Sequence, residues 1–579
     1  DKSLVFLYNY FMKKNIIKFI SVLFLFSFFF LTDCSSKPDK MRYSKAADLI
    51  LKNGIVITID KKMRIVESVA IKDNKIIFYG SNIRALHYKD DKTKILDMTG
   101  KTIIPGLHDA HLHFESGAES ITKNLSLRFL NLDQIQKKIK EAVDSSPPQA
   151  VIRAFRFNQA YFKNKKWPTR YDLDKISPKN PVIISRVDGH TLWVNSKVLS
   201  MCDISKNTKD PYGGEIQRFK DGIPTGILKE NAEDLVKDIK GPKMALPESQ
   251  KSPIESAIAY ANQLGLTSVT TSGDLNLIKK LNNLRKKGKL YLRFNVWLPI
   301  KKTKQYLKKG IKFNNGNDFV KVSFLKIYSD GTIGSSTAAM FEPYIHNPDS
   351  RGILIHQINK LNQFIENAHK NNWQVGIHAI GNRAVHLTLN AIERAQQKYG
   401  IKNLRHRVEH SQFVRDSDLF RYKKLGVIPS MQPTHCTTDL LVVEDRIGKE
   451  YAKQGYRWNS FIKTGSILAF GTDWPIEPLD PRRGLYSAIE RKNIENGQTK
   501  EEWFPEEDIS IIEAIKAYTF GSAYASFNEN RLGSIGKGKL ADLTVFDGNL
   551  LEIARSNQRK VLSIPIYMTI VNGKVVYKK

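Results

Sequence analysis

Eight short apolar runs, each of strand length and separated by stretches of helical character, divide the middle of this chain: residues 102–110, 266–272, 292–298, 322–331, 373–381, 406–410, 426–433 and 467–475. Strands that alternate with helices argue for a parallel α/β sheet or barrel, and eight is the number that a (β/α)8 barrel needs. The count holds only when residues 115–255 are set aside as an insertion after the first strand. That insertion has strand-like runs of its own ("VIRAF", "PVIISRVDGH") and a Gly/Pro-rich part, "DPYGGEIQRFKDGIPTGIL". A loop that follows a barrel strand lies over the barrel mouth, so the insertion is expected to form a lid or substrate subdomain.

The two ends read differently. From Ala47, "ADLILKNGIVITIDKKMRIVESVAIKDNKIIFYG" sets β-branched runs between Asn-Gly and Asp-Asn turn signals, and the C-terminus repeats the style in "LADLTVFDGN" and "YMTIVNGKVVYKK". This is the pattern of hairpins. It predicts one small β-sandwich assembled from residues 47–101 and 530–579, around a barrel of residues 102–529.

Polar residues at the C-terminal ends of barrel strands face the place where this fold builds its sites. The first run ends "HDAHLHF" with His111 and His113, the fourth carries Lys326 in "SFLKIY", and the fifth carries His378 in "VGIHAI". The sixth ends at His410 in "RVEH" and the eighth at Asp473 in "FGTDWP". Any one of these is an ordinary structural residue: a strand-end histidine in its own hydrogen bonds, a lysine snorkelling to the surface, an aspartate capping a helix. Six converging from five strands are a metal site. Residues i and i+2 of an extended segment point the same way, so both imidazoles of His111-Leu112-His113 reach one ion, while His108 reads as structural. Imidazole and carboxylate suit Zn2+ foremost, then Fe or Mn. An ammonium beside a divalent cation is repelled. Lys326, neutralised by burial, would instead take up CO2 and become a carbamate, an anionic two-oxygen ligand able to bridge two metals.

The chain carries 91 Lys and Arg against 58 Asp and Glu, a formal net charge of +33. The excess is lysine scattered in "KKIK", "KNKK", "RKKGK" and "KKTK", with no basic helix or nucleic-acid-binding signature, so it reads as solvated faces and predicts no specific nucleic-acid partner. Residues 1–36 read as an export region: from Met12 lysines precede a short apolar core and the junction Leu31-Thr32-Asp33-Cys34. That junction resembles a bacterial lipobox, although Asp33 stands where a small residue is usual. It predicts lipidation at Cys34, or otherwise an uncleaved signal anchor, and a membrane-anchored protein on the periplasmic or cell-surface side. With three cysteines in 579 residues, stability must come from the core and not from disulfides.

The ordered motifs "DAHLHF", "KIYSDGTIGSSTAAM", "HAIGNRAV", "RHRVEHSQ", "SMQPTHCTTD", "GTDWPIEPLDPRRG" and "LGSIGKGKLADLTVFD" resemble those of the amidohydrolase superfamily. Within it they are similar to the amidohydrolase family 3 branch, which includes N-substituted formamide deformylase-like enzymes. The resemblance covers about Ala47 to Lys579. It implies a distorted (β/α)8 barrel, a composite β-sandwich and a centre of one or two divalent metals. It further implies that His111, His113 and Asp473 hold one metal, that His378 and His410 hold the other, and that carboxylated Lys326 bridges them. Relatives often have Asp where this chain has Asn382, a place to adjust a hydrogen bond behind a ligand.

The expected reaction is hydrolysis of an amide-type C–N bond, N-formyl or N-acyl, in a small-molecule substrate. Metal-activated hydroxide attacks the carbonyl, with Asp473 as general base and then acid. His435, Trp474 and His190 are candidates for substrate contact, His435 foremost, through a hydrogen bond to the substrate or its oxyanion. The same metal chemistry would serve a cyclic amide, a lactone or a carbamate, and a catalytically inactive exported binding lipoprotein is the non-enzymatic alternative. Homo-oligomerisation is compatible with the sequence.

Overall fold

The computed structural model describes residues 46–122, 125–242, 244, 252–440, 442–494 and 502–579. The export region 1–36, with Cys34, lies outside the described residues. No helix among them is long and apolar enough to cross a membrane.

The eight expected barrel strands are present: β1 (Leu107–Leu112), β2 (Leu266–Ser272), β3 (Arg293–Pro299), β4 (Val320–Tyr328), β5 (Val375–Ala379), β6 (Arg407–His410), β7 (Ile428–Met431) and β8 (Ala469–Phe470). They form one parallel sheet in sequence order from β1 to β8. Register shifts between β1 and β2 and between β3 and β4 distort it. Helices cover the strands with apolar faces of helical period. In Asn382–Tyr399, Ala384, Val385, Thr388, Leu389, Ala391, Ile392 and Ala395 are all buried, the three-and-four spacing that makes one stripe.

Between β8 and β1 the sheet closes through side chains and a turn instead of a ladder. The Asp473 N–H donates to the His111 carbonyl at 2.7 Å, and the Thr472 hydroxyl donates to Asp109 at 2.6 Å. Gly471 makes this approach feasible, because a Cβ there would lie 2.6 Å from the His111 nitrogen.

One expectation needs correcting. The first run, read as a single strand over 102–110, is two strands broken at Gly106, where a Cβ would lie 2.3 Å from the Thr267 hydroxyl oxygen. Thr102–Pro105 belongs to the β-sandwich, antiparallel to Leu543–Phe546, and the barrel begins only at Leu107. The sandwich has a six-stranded sheet drawing on both ends of the described chain and a four-stranded sheet from residues 49–97. Leu49, Val56, Val69, Ile103, Leu543 and Ile570 share its core.

Between the helices Phe114–Thr122 and Pro253–Gln263 stands a third sheet of six strands, running spatially Gly214–Arg218, Pro224–Glu230, Thr191–Val194, Val182–Arg186, Ile152–Phe157 and Leu125–Ser126. Its loops meet the C-terminal ends of the barrel strands.

Candidate metal centre

His111 is fully buried near the end of β1. Its Nδ1–H donates to Glu409 Oε2 at 2.6 Å, which turns Nε2 toward the barrel axis. Glu409 on β6 is clasped by Arg407, Nε to Oε1 at 2.7 Å, and Arg407 also donates to the Ala110 carbonyl and the Ser430 hydroxyl. Burial alone would raise the Glu409 carboxyl, but the Arg407 charge and the interaction with His111, including its hydrogen bond, outweigh it and hold it at about 2. A carboxylate behind an imidazole fixes its tautomer and raises its basicity as a ligand.

The other predicted residues gather round this ring. Lys326 Nζ lies 3.5 Å from His111 Nε2, and burial pushes its pKa down to about 8. The His410 ring centroid stands 5.1 Å from that of His111 and 4.5 Å from that of His378. His378 donates from Nε2 to the Gly331 carbonyl at 3.1 Å, leaving Nδ1 as its lone-pair nitrogen. Asp473 Oδ1 lies 3.6 Å from His111 Nε2 and 3.2 Å from His113 Nε2. The ligand atoms of His111, His410 and Asp473 all lie within 4.8 Å of one another. His410, expected to hold a different metal from the other two, is thus in their tight group.

Backbone conformation aims two of the three. His410 and Asp473 have φ of 73° and 58°, the left-handed region that few non-glycine residues adopt and that clusters at functional sites. Asp330 braces the floor, its carboxylate accepting the N–H groups of Ala339, Ile380 and Gly381 at 2.8, 3.0 and 2.8 Å.

The donor set fits a divalent cation. Burial and then the Lys326 charge push His111 down to about 4, and burial with neighbouring charged groups lowers His378 and His410 well below the usual range. All three imidazoles are therefore neutral near pH 7, the form that binds metal. His410 Nδ1, Asp473 Oδ1 and His435 Nε2 are buried without a well-aligned hydrogen bond, and each such atom costs about 1–3 kcal/mol unless something satisfies it. Two imidazoles and a carboxylate suit zinc.

A cavity of about 350 Å3 opens from this cluster between barrel and lid sheet, lined by His111, His113, Lys326, His378, His410 and Asp473 on one side and by residues 185–190 on the other. A narrower pocket continues past His435 toward Phe129 and Tyr161. His435 stands with Nε2 3.8 Å from Asp473 Oδ2. His190 reaches in from the lid, its ring 4.9 Å from that of His378 and its Nδ1 2.7 Å from Glu230 Oε2. Burial works against its charge, but the Glu230 and Asp188 carboxylates outweigh it and raise its pKa to about 9. His108 is structural, bonded to the Thr270 hydroxyl at 2.9 Å.

Trp474, expected at the mouth, lies beneath it. Its indole is 2% exposed and packs edge-on to Phe114, with its ring so near Gly117 that a Cβ there would lie 2.2 Å from it. The chain turns at Asp473, so consecutive side chains face opposite ways. Asn382 does not stand behind His378; it accepts from the Phe341 N–H and donates to Gln454. Glu409, Arg407 and Asp330 escaped the sequence reading. The Arg-x-Glu pair inside the short apolar run "RVEH" was the signal, since i and i+2 point to one side of a strand and neither charge is easily buried alone.

Residues 94–577 match a family model described as the amidohydrolase family. The chain is 30% identical over 549 residues to the protein LONG AFTER FAR-RED 3 of Arabidopsis thaliana, with 92% of each chain covered. It is 24% identical over 555 residues to the N-substituted formamide deformylase of Arthrobacter pascens, covering 92% of this chain and 98% of that one. A crystal structure of an uncharacterized metal-dependent hydrolase from Pyrococcus furiosus is similar to it at TM-score 0.65 and 27% identity, over 87% of this chain and 99% of the other. With one family model spanning barrel and sandwich strands alike, and with histidines and an aspartate poised for a divalent ion at the strand ends, this chain belongs to the amidohydrolase family and is built for metal-dependent hydrolysis of C–N bonds.

Proposed function

We propose that the substrate is an N-formyl or N-acyl amine, and that Asp473 shuttles the proton of its hydrolysis. The observation that carries this reading is the buried triplet His111, His410 and Asp473, whose ligand atoms lie within 4.8 Å of one another at the inner end of the cavity. The similarity to a protein named N-substituted formamide deformylase supports the choice of acyl group.

His111, His410 and Asp473 would hold a divalent ion, which would supply Lewis acidity there, lowering the pKa of water toward about 7 and polarising a carbonyl. Asp473 is an ionised carboxylate: burial raises it, but the His113, His111 and His435 imidazoles gathered round it outweigh burial and hold it well below the usual carboxylate range. It accepts the proton of the attacking water and returns it to the departing nitrogen. An amide resists hydrolysis because its amine leaves poorly, so one carboxylate acting as base and then acid matches the task. Gln412 donates to His435 Nδ1 at 3.4 Å, which leaves the proton on Nε2, aimed at the cavity to stabilise charge on the carbonyl oxygen. His190 closes the site from the lid. Lys326, buried and near His111, would take up CO2 as a carbamate and so add an anionic oxygen ligand to the site.

The test is release of formate or carboxylate from a panel of N-formyl and N-acyl amines. Asp473→Asn is expected to lower kcat by about 100- to 10,000-fold with a much smaller change in substrate binding. An Asp473→Asn enzyme that turns over normally would remove it from this role.

We further propose that residues 1–36 export the chain and that Cys34 carries a lipid anchor. Cys34→Ala is then expected to move the protein from the membrane fraction to the soluble one, and a variant that stays membrane-bound would refute the anchor.

A further inference from the structure

The lid sheet sends three arginines toward the cavity, Arg128, Arg156 and Arg186. Two are neutralised where they stand. Arg128 pairs with Glu477 at 2.6 Å, and Arg186 pairs with Asp188 at 2.5 Å. Arg156 hydrogen-bonds only the Ser120 hydroxyl, at 2.9 Å, and makes no ion pair among the described residues. Glu119, a carboxylate on the same cavity, is exposed at its rim.

The backbone presents Arg156 on purpose. The register between Ile152–Phe157 and Val182–Arg186 slips between Phe155 and Phe157, a bulge centred on Arg156. Its φ is 74°, a conformation costly for a residue with a long side chain. Bulges re-aim side chains and concentrate near active sites. The side chain that this one re-aims lines both the main cavity and the narrower pocket beside it, together with His410 and Asp473. Burial, and then the Arg128 charge, push the guanidinium down only to about 10, so it stays a cation at neutral pH. The neighbouring Glu477 carboxylate acts on Arg156 only at a distance and is already paired with Arg128. A half-buried guanidinium with no ion pair of its own, facing a hydrolytic centre, is a site for an anion, and its planar fork matches a carboxylate.

We propose that Arg156 binds a carboxylate carried by the substrate on the side away from the scissile bond, so that the preferred substrates are acid-bearing N-acyl or N-formyl compounds. This rests on the hydrolase reading above and narrows its substrate class. The carboxylate would take the place of the ion-pair partner that Arg128 and Arg186 find within the protein, and bidentate contact would orient the acyl group toward the metal centre.

The test separates binding from turnover. Calorimetric titration of the metal-free protein with N-formylphenylalanine and with its carboxamide compares one shape with and without the charge. The acid is expected to bind at least about tenfold more tightly than the amide. In Arg156→Met the preference should collapse to within about twofold, and in Arg156→Gly, which the left-handed backbone favours, it should collapse likewise. Equal affinity of the two ligands in the unaltered protein, binding of neither, or a preference that survives both substitutions would overturn the subsite. Formate release from neutral N-formyl amines by the metal-loaded enzyme tests the hydrolase reading separately. An enzyme that hydrolyses them with no preference for acid-bearing substrates loses only the Arg156 proposal.

Discussion

At the scale of single residues, the centre depends on groups that would be liabilities elsewhere. Lys326 is the sharpest case. A buried ammonium 3.5 Å from an imidazole nitrogen opposes any cation placed beside it, whereas a carbamate on the same atom attracts one. Lys326→Ala is therefore expected to lose metal and activity together, with partial recovery when acetate or another short carboxylate fills the gap. Unchanged metal content in that variant, measured by elemental analysis, would contradict the bridging role. Much of this cluster was legible in the sequence because strand ends are the one place where this fold gathers function, and His111, Lys326, His378, His410 and Asp473 each sit at or near one. Glu409 was harder to see. Its work is to hold His111, and a supporting carboxylate has no position of its own in the strand pattern. Trp474 was misplaced for a related reason: nearness in sequence to Asp473 says nothing of direction, and the turn at Asp473 sends the indole into the core.

At the scale of elements, the junction between β8 and β1 decides whether Asp473 reaches the site. β8 is only two residues long, and the chain beyond it crosses over His111 without a side chain at Gly471. A methyl group at that position would lie 2.6 Å from the His111 nitrogen and 2.7 Å from Asp109 Oδ1, and neither backbone nor buried carboxylate can yield. Gly471→Ala is expected to cost about 1–3 kcal/mol in urea unfolding and to weaken metal binding, since Asp473 moves with the turn. A variant with unchanged stability and metal affinity would show that the closure is looser than drawn. The strand count could be read from periodicity, but this closure could not, because it rests on one glycine and on hydrogen bonds between residues more than 360 apart in sequence. The bulge at Arg156 was nearly as hard to read: it shifts the alternation by one residue, but in the six-residue run Ile152–Phe157 the only trace is the adjacent apolar pair Ala154-Phe155.

At the scale of the whole molecule, barrel and sandwich are joined at the end away from the site. Arg293, at the start of β3, holds Asp542 in a two-pronged ion pair, with Nε to Oδ2 at 2.7 Å and Nη2 to Oδ1 at 2.9 Å, both residues buried. Asp542 immediately precedes the sandwich strand Leu543–Phe546, so the pair couples the C-terminal strands to the barrel. Removing one partner of a buried pair leaves the other charge uncompensated, and Asp542→Asn is expected to cost about 3–5 kcal/mol. Urea unfolding measures that loss, while the folded fraction should keep its metal; a cost under about 1 kcal/mol would mean the two parts hold together without the pair.

The claim on which the rest depends is that His111, His410 and Asp473, with the residues around them, hold a metal. Elemental analysis of the protein purified without chelators tests it most directly. About one or two equivalents of zinc or a similar divalent ion per chain are expected, removed by a strong chelator together with activity and restored by adding the ion back. A protein that stays free of metal even after reconstitution with zinc and bicarbonate would contradict the account.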